Sequence, residues 1–443
     1  MGHAIFIEDA AETKNLIEGN CVINTRRSDS LLNTDQTPAS FWITNPDNIF
    51  RNNHAAGSAR YGFWFDLQVT SIGPSFDPNI CPENTKLGEF RDNYTHSNGR
   101  YGLRIFHQLV PREKPCQGLS LNRNSESNPF GSNRPIIAEF ENLTSYKNNR
   151  NGAITERTGA VRFVNFKTAD NILAGMEFSD ASFVALDGYT EVIGGLVIGR
   201  SQGNREAKIN SANPHGIIGP RSEWLRIDGT KFYNFDFGSA AALGDCSHCW
   251  HPASTDMGAR TISTRNLFFD SSVTRRIKYQ YPFRGIFWDM DGTLTGKGEN
   301  SWAVAEWPHL LEARQCEKLS EFGGLTCDNT IQVRQIFFQN ATPSHFKNMD
   351  EHIRVLSPLK EIELKEAEDE LVTFTNFIED DAAFSNLFPV KNIWAAPFVT
   401  SYRYHIRWGK ALDFENMDMH LSRRWEPSDI QVLFHSKHID VRE

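Results

Sequence analysis

No stretch of this chain approaches the roughly 18 consecutive apolar residues of a membrane-crossing helix, and the mean hydropathy is −0.47. A spanning helix is therefore not expected. Concentrated positive charge is missing too: 46 Lys and Arg face 55 Asp and Glu, a formal charge of −9. The densest basic cluster, Arg275, Arg276 and Lys278, is short and reads as a solvated strand end. Nothing forms the basic stripe that gripping a nucleic acid requires. The first residues, MGHAIFIED, lack a charged region followed by an apolar stretch and a cleavage site, so no signal peptide is expected there. Helical periodicity is scarce as well, with only Lys360 to Leu371 helical by composition.

What the chain has is a repeat. Phe50, Arg51, Asn53, Arg60, Tyr61 and Gly62 recur in order, 40 positions later, as Phe90, Arg91, Asn93, Arg100, Tyr101 and Gly102. Each copy runs from an Asn-containing turn through a polar stretch to a Tyr-Gly step and a short apolar run. Looser copies occur at Gly2–Ile7, Phe140–Thr144, Val161–Asn165 and Gly194–Gly199. Units this short cannot bury a face alone and must stack on their neighbours. The runs are brief and rich in Ile, Val and Phe, which makes the units strands and predicts one strand per rung. Asn suits the turns because it tolerates the left-handed backbone region and can hydrogen-bond from rung to rung. The expected fold is an all-β, right-handed parallel β-helix over residues 1 to about 345, with an insertion at about 111–135. A β-rich module over 346–443 would cap it, with a strand pattern at Phe398–Trp408 and Ile430–Phe434. The start in mid-rung predicts that the chain is a segment of a larger protein.

Seven cysteines suggest three local pairs, Cys81 with Cys116, Cys246 with Cys249 and Cys316 with Cys327, leaving Cys21. Loop-closing disulfides suit an oxidising compartment. Three sequons, at Asn93, Asn142 and Asn340, point the same way. In the run Cys246-Ser-His-Cys249-Trp-His251, His248 and His251 offer zinc as the alternative to a disulfide or free thiols, but no second ligand pair of suitable spacing follows.

The stretch Arg284–Thr295 (RGIFWDMDGTLT) ends an apolar strand on Asp289 and Asp291. It is similar to the first motif of haloacid-dehalogenase-like phosphatases, where such aspartates attack phosphorus and hold magnesium. Lys360 or Lys365, with Asp380 and Asp381, would be the remaining parts. The alternating strands and helices of a doubly wound sheet are missing around it, however. A capped turn, or a calcium site through Asp289 and Asp291, is the expectation instead.

Long ordered strings then carry a resemblance: GHAIFIED at 2–9, SDSLLNTDQTPASFWITN at 28–45, YGFWF at 61–65, GPSFDPNIC at 73–81, CSHC at 246–249, WDMDGTLTG at 288–296 and the segment 397–443. They resemble the fibrocystin and fibrocystin-L family, and more distantly the cell-migration-inducing hyaluronan-binding proteins. The resemblance implies a G8 domain before residue 1, an anchor or further repeats after 443, and an extracellular or cell-surface setting. It implies a noncatalytic structural or adhesive role, with surface-coat proteins, glycans or a second copy as partners and no membrane contact by the segment itself. The alternative is a calcium-dependent hyaluronan-degrading enzyme. Glycan chemistry needs an acid and a base around one bond, and the candidates near rung turns are His3, Glu8, Asp9, His54, Arg60, Asp66, His96 and Arg100. Trp42, Phe63, Trp64 and Phe65 read as packing aromatics.

Overall fold

The computed structural model describes residues 2–29, 36–117, 132–181, 188–201, 214–220, 225–245, 260–279, 285–305, 316–319 and 324–330, with the strands beyond as backbone. The described chain is β-structure with short 3₁₀ turns and forms two compact units, residues 1–247 with 262–278 and residues 248–261 with 279–443.

The first unit is a parallel β-helix, as expected. Each coil carries three short strands, and these line up in three parallel sheets, here called A, B and C in the order the chain meets them. One coil runs Ala39–Ile43 (A), Ile49–Arg51 (B), His54–Ala56 (C), and the next begins at Tyr61–Asp66 (A). The prediction of one strand per rung therefore falls short. The B and C strands are only three or four residues long in most coils and leave too little alternation to be told apart in the sequence. The 40-residue offset is the ladder register itself: Phe50 pairs with Phe90, Arg51 with Arg91 and Tyr61 with Tyr101.

Residue choice at the corners explains the bends. Between B and C the first corner residue is left-handed in coil after coil: Gly19, Asn52, Asp92, Asn142, Asn165, Gly194, Gly229 and Asn266 all have φ between 52° and 72°. Only Gly, Asn and Asp adopt that conformation cheaply. The next position points inward and builds a ladder. Asn53 Nδ2 and the Asn53 amide both donate to Asn93 Oδ1 at 3.1 and 3.0 Å, and Asn20 repeats this on Asn53. A second ladder, Asn98–Asn148–Asn171, holds the corner between C and A.

Inside the coils runs a phenylalanine stack. Phe50, Phe90, Phe140 and Phe163 align along sheet B and meet Phe41, Phe63 and Phe65 of sheet A, with ring centroids 4.6–6.4 Å apart. All are essentially without solvent exposure, and each contributes about 1.5–3 kcal/mol by leaving water. The Tyr-Gly step has a steric cause: a Cβ on Gly62 would lie 2.0 Å from Thr95 Oγ1 and 2.6 Å from Gly102 O, and Gly102 is as crowded by Ser145 and Gly152.

Outside sheet B, arginines are paired with carboxylates of their own or neighbouring coils, including Arg51 and Arg91, which are neighbours in register. Arg51 chelates Glu18 at 2.7 and 3.1 Å, Arg162 joins Glu139 and Glu191, Arg226 joins Glu191, and Arg265 joins Asp228. These pairs lie at or near the surface, where solvent screening leaves an ion pair little net worth.

In sheet A, parallel pairing runs as far as Ile277–Lys278. In the second unit the strands Gly285–Asp289, Ser301–Ala305, Gly324–Cys327 and Cys316–Leu319 pair antiparallel. Trp288 opposes Trp302, and Cys316 is bonded to Cys327 directly across the ladder with Cα atoms 4.1 Å apart. Hairpin connections of this kind close locally and cannot continue a coil. Further on, Val333–Thr342 pairs with Ile393–Val399 and Asn416–Leu421, and Ile353–Leu356 with His405–Trp408. The β character expected there holds for these strands. The helix at Lys360–Leu371, the strand at Ile430–Phe434, and Lys365, Asp380 and Asp381 lie outside the described residues.

The insertion between sheets A and B is tied down by Cys81–Cys116, Cα atoms 5.4 Å apart, and by Arg112, fully buried, whose Nη1 donates to Asn133 O at 3.0 Å. The Cys246–Cys249 pair, with its zinc alternative through His248 and His251, lies outside the described residues. Cys21 is an exposed free thiol.

Candidate functional site

The outer side of sheet A is built unlike those of B and C. Trp42 and Trp64 are in register on adjacent coils, and Arg104 follows Trp64. The Arg104 guanidinium lies 5.2 Å from the Tyr61 ring, 5.4 Å from Trp64 and 4.2 Å from Phe106. It donates to Tyr61 Oη at 3.0 Å and stands 3.7 Å from Glu156. Asp66, 6% exposed, accepts from Trp42 Nε1 at 3.1 Å and Gln68 Nε2 at 3.4 Å. Burial pushes its carboxyl above the ordinary range, against the opposing pull of the Trp42 hydrogen bond and Arg104. Glu177, also buried, accepts from Asn151 Nδ2. His3 stacks on Trp42 at 4.5 Å, and its Nδ1 accepts from the Ala39 amide at 3.1 Å.

Beside this patch, where sheet C turns into sheet A, three arginines stand on successive coils. The Arg100 amide donates to Arg60 O at 2.8 Å, and the Arg150 amide to Arg100 O at 2.9 Å, so the backbones are hydrogen-bonded neighbours. Tyr61 and Tyr101 stack beneath at 5.7 Å, and the Arg100 and Arg150 guanidinium groups lie 5.4 and 5.8 Å from the Tyr101 ring. The three side chains are half-buried, and among the described residues none has a carboxylate within ion-pair distance. Burial and the positive charges of Arg27 and Arg100 hold Arg60 below its usual range. Unlike the paired ladder on sheet B, this is a stack of like charges, in which Arg100 is held above its usual range, against burial, by Tyr101, Tyr61 and Glu156.

Of the candidates from the sequence, His3, Arg60, Asp66 and Arg100 belong to this side of the molecule. His54 and His96 do not, for they are on sheet C, stacked on Tyr94 at 4.5 Å and Tyr146 at 4.7 Å. Glu8 and Asp9 make a corner, with left-handed φ at Asp9 and Ala10. Phe63 and Phe65 pack inside the coil as expected, and Trp64 packs too, buried in a cluster with Ala39, Tyr61, Tyr101 and Ile154 on the other side of the sheet, with Trp42 against it. Arg150, Arg104, Glu156, Glu177 and the buried His215, which desolvation and nearby Lys278 push down to about 3, were missed. A signal for Arg150 existed: Arg60-Tyr-Gly and Arg100-Tyr-Gly have a third copy, Arg150-Asn-Gly, at a longer spacing.

One other expectation is corrected, and one of two alternatives is described. Asn93 is buried with its amide committed to Asn53 and Phe50, so it offers no place for a glycan, because the inward corner position that builds the ladder removes it from solvent. Asn142 is half-exposed and donates to Asp92 at 2.9 Å; the Asn340 side chain lies outside the description. Asp289 is buried and accepts from the amides of Gly292, Leu294 and Thr295 and from Thr295 Oγ1 at 2.8–3.1 Å. Asp291 accepts from Thr293. Carboxylates met by these N–H and O–H donors form the capped turn that the sequence offered as one of two alternatives. No group of three or more His, Cys, Asp or Glu able to hold a metal forms among the described residues. The strand before Asp289 pairs antiparallel, not within a doubly wound sheet, and the phosphatase reading falls with that.

The fold and the three-sheet coil define a parallel β-helix protein. Residues 1–103 match the family described as CEMIP beta-helix. The chain is related to the fibrocystin-L family, as its sequence strings suggested: it is 31% identical to fibrocystin-L of Homo sapiens over 356 residues, 77% of this chain but 8% of that protein. It is 30% identical over 279 residues to "Cell surface hyaluronidase CEMIP2" of Homo sapiens, 53% of this chain and 20% of that one. Among solved structures, the Siphovirus 9NA tailspike receptor binding domain shares 14% identity at a TM-score of 0.33, covering 69% of this chain and 48% of that one. The chain thus spans a small part of the length of these curated relatives. Among the described residues, no helix is long and apolar enough to cross a membrane.

Proposed function

We propose that this segment is a noncatalytic, extracellular structural wall that holds an extended anionic glycan along the outer side of sheet A. The observation that carries the reading is the stack Arg60–Arg100–Arg150 over Tyr101, cations without carboxylate partners among the described residues, in a chain of net charge −9. Like charges held side by side cost free energy unless an anion sits among them, and guanidinium forks suit carboxylate or sulfate. Relatives named as cell-surface proteins support the setting.

The hyaluronan-degrading alternative draws on the name of the CEMIP2 relative and on Asp66, a buried acid whose raised pKa suits proton donation. Against it, Asp66 is engaged by Trp42 and Gln68. Incubating the purified chain with hyaluronan, with and without chelator, separates the readings. Polymer length is expected to stay constant while binding is seen by sedimentation; shortening abolished by Asp66→Asn would establish the enzyme instead.

A further inference from the structure

Resting on that reading, we infer that the preferred glycan carries an anionic group on every sugar residue, not on every second one. Arg60, Arg100 and Arg150 belong to consecutive coils joined by direct backbone hydrogen bonds. Neighbouring strands of a sheet repeat about every 4.8 Å, so the cations rise along the coil axis at about that interval. Both Arg100 and Arg150 are anchored over the Tyr101 ring, itself stacked on Tyr61, which limits how far the guanidinium groups can spread apart.

A sugar residue in an extended chain is about as long as one coil is high, each spanning roughly the separation of paired strands. A polymer with one carboxylate or sulfate per sugar therefore matches the arginines one to one. Hyaluronan, with one carboxylate per two sugars, can satisfy only alternate members and leaves the middle cation facing a neutral ring. A polymer shifted by one coil would match Arg100 alone and leave Arg150 and Arg60 unmet, Arg60 being the costlier. Its Nε is buried without a hydrogen-bond partner, and the charges of Arg27 and Arg100 already press on it. Polyuronates and densely sulfated chains share the required spacing.

The whole chain is tested by calorimetric titration with length-matched polygalacturonate, heparin, hyaluronan and neutral dextran. Polygalacturonate or heparin is expected to bind at least about tenfold more tightly than hyaluronan, and dextran not at all. The stronger of the two tells carboxylate from sulfate preference. Arg60→Gln, Arg100→Gln and Arg150→Gln should each weaken the dense polymer roughly fivefold and lower the slope of log affinity against log salt by about 0.7 to 0.9. Arg100→Lys, which keeps the charge, should retain most of that slope, and thermal melts check that each variant folds. Equal or tighter hyaluronan binding through the same arginines would overturn the spacing inference and leave the glycan reading standing. Binding of none of the three anionic polymers would overturn both.

Discussion

Replacing Asn93 by Ala probes the corner ladder directly. The amide of Asn93 accepts two hydrogen bonds from Asn53 and gives one to Phe50 O, at 2.9–3.1 Å, all within a fully buried corner. Truncation leaves two donors and one acceptor behind. At about 1–3 kcal/mol for each unsatisfied buried group, partly relieved by water entering the vacated volume, the loss comes to about 3–5 kcal/mol. Asn142→Gly is the control: it stands at the neighbouring corner position, keeps the left-handed conformation that glycine tolerates, and gives up one half-exposed bond to Asp92. It should cost about 1 kcal/mol or less. Guanidinium unfolding measures both, and hydrogen exchange of residues 50–56 locates the loss, since the Asn53 amide should lose its protection. Glycopeptide mapping of the secreted chain adds an independent reading, with Asn93 expected bare. Equal costs for the two variants, or a glycan on Asn93, would refute the buried ladder.

Other outcomes follow from the same geometry. Changing Cys81 and Cys116 to Ser removes a closure of 35 residues, worth about 4 kcal/mol by chain entropy, and should make the insertion sensitive to protease without shifting the glycan affinity. Asp66 has a raised folded pKa, so its contribution is fully present below the ordinary carboxyl pKa and is lost as pH rises through the folded value; Asp66→Asn should flatten the stability profile over that window. His215 is the opposite case. Its depressed value of about 3 means stability is present above its unfolded pKa near 6.5 and drains away as pH falls towards 3, at most about 1.4 kcal/mol per pH unit, and its imidazole resonances should show no titration near neutrality. Asp289→Asn should lower the melting temperature of the second unit by turning an NH₂ group onto the Leu294 and Thr295 amides, whereas chelator should leave the parent's melt unchanged.

Much of the β-helix was legible because two coils of equal length kept Phe50 and Phe90, Asn53 and Asn93, and Tyr61 and Tyr101 at one offset. Where the insertion after Phe106 lengthened the next coil, the offset broke, and Arg150 dropped out of the pattern although its backbone pairs with Arg100. The separation of sheets B and C was hidden for a different reason: His54–Ala56 and Tyr94–His96 are three residues each, with the bend supplied by one left-handed residue before them. A sequon matches spacing and says nothing of direction, so Asn93 and Asn142 looked alike while one points into the coil and the other out. The aspartates of the Asp-Met-Asp-Gly run likewise needed coordinates, because only the amides that meet Asp289 reveal the capped turn.

The two kinds of bend differ in what they tolerate. From B to C the chain has two residues in every described coil, and at Asn20, Asn53 and Asn93 the rung-to-rung bonds leave no room for a third. From A to B it has admitted both the 67–88 excursion and the one from 107 to 137 without disturbing the register of Phe50, Phe90 and Phe140. That edge is the natural grafting seam of the molecule. New loops can be spliced there to vary what the wall displays, while its bricks stay in course.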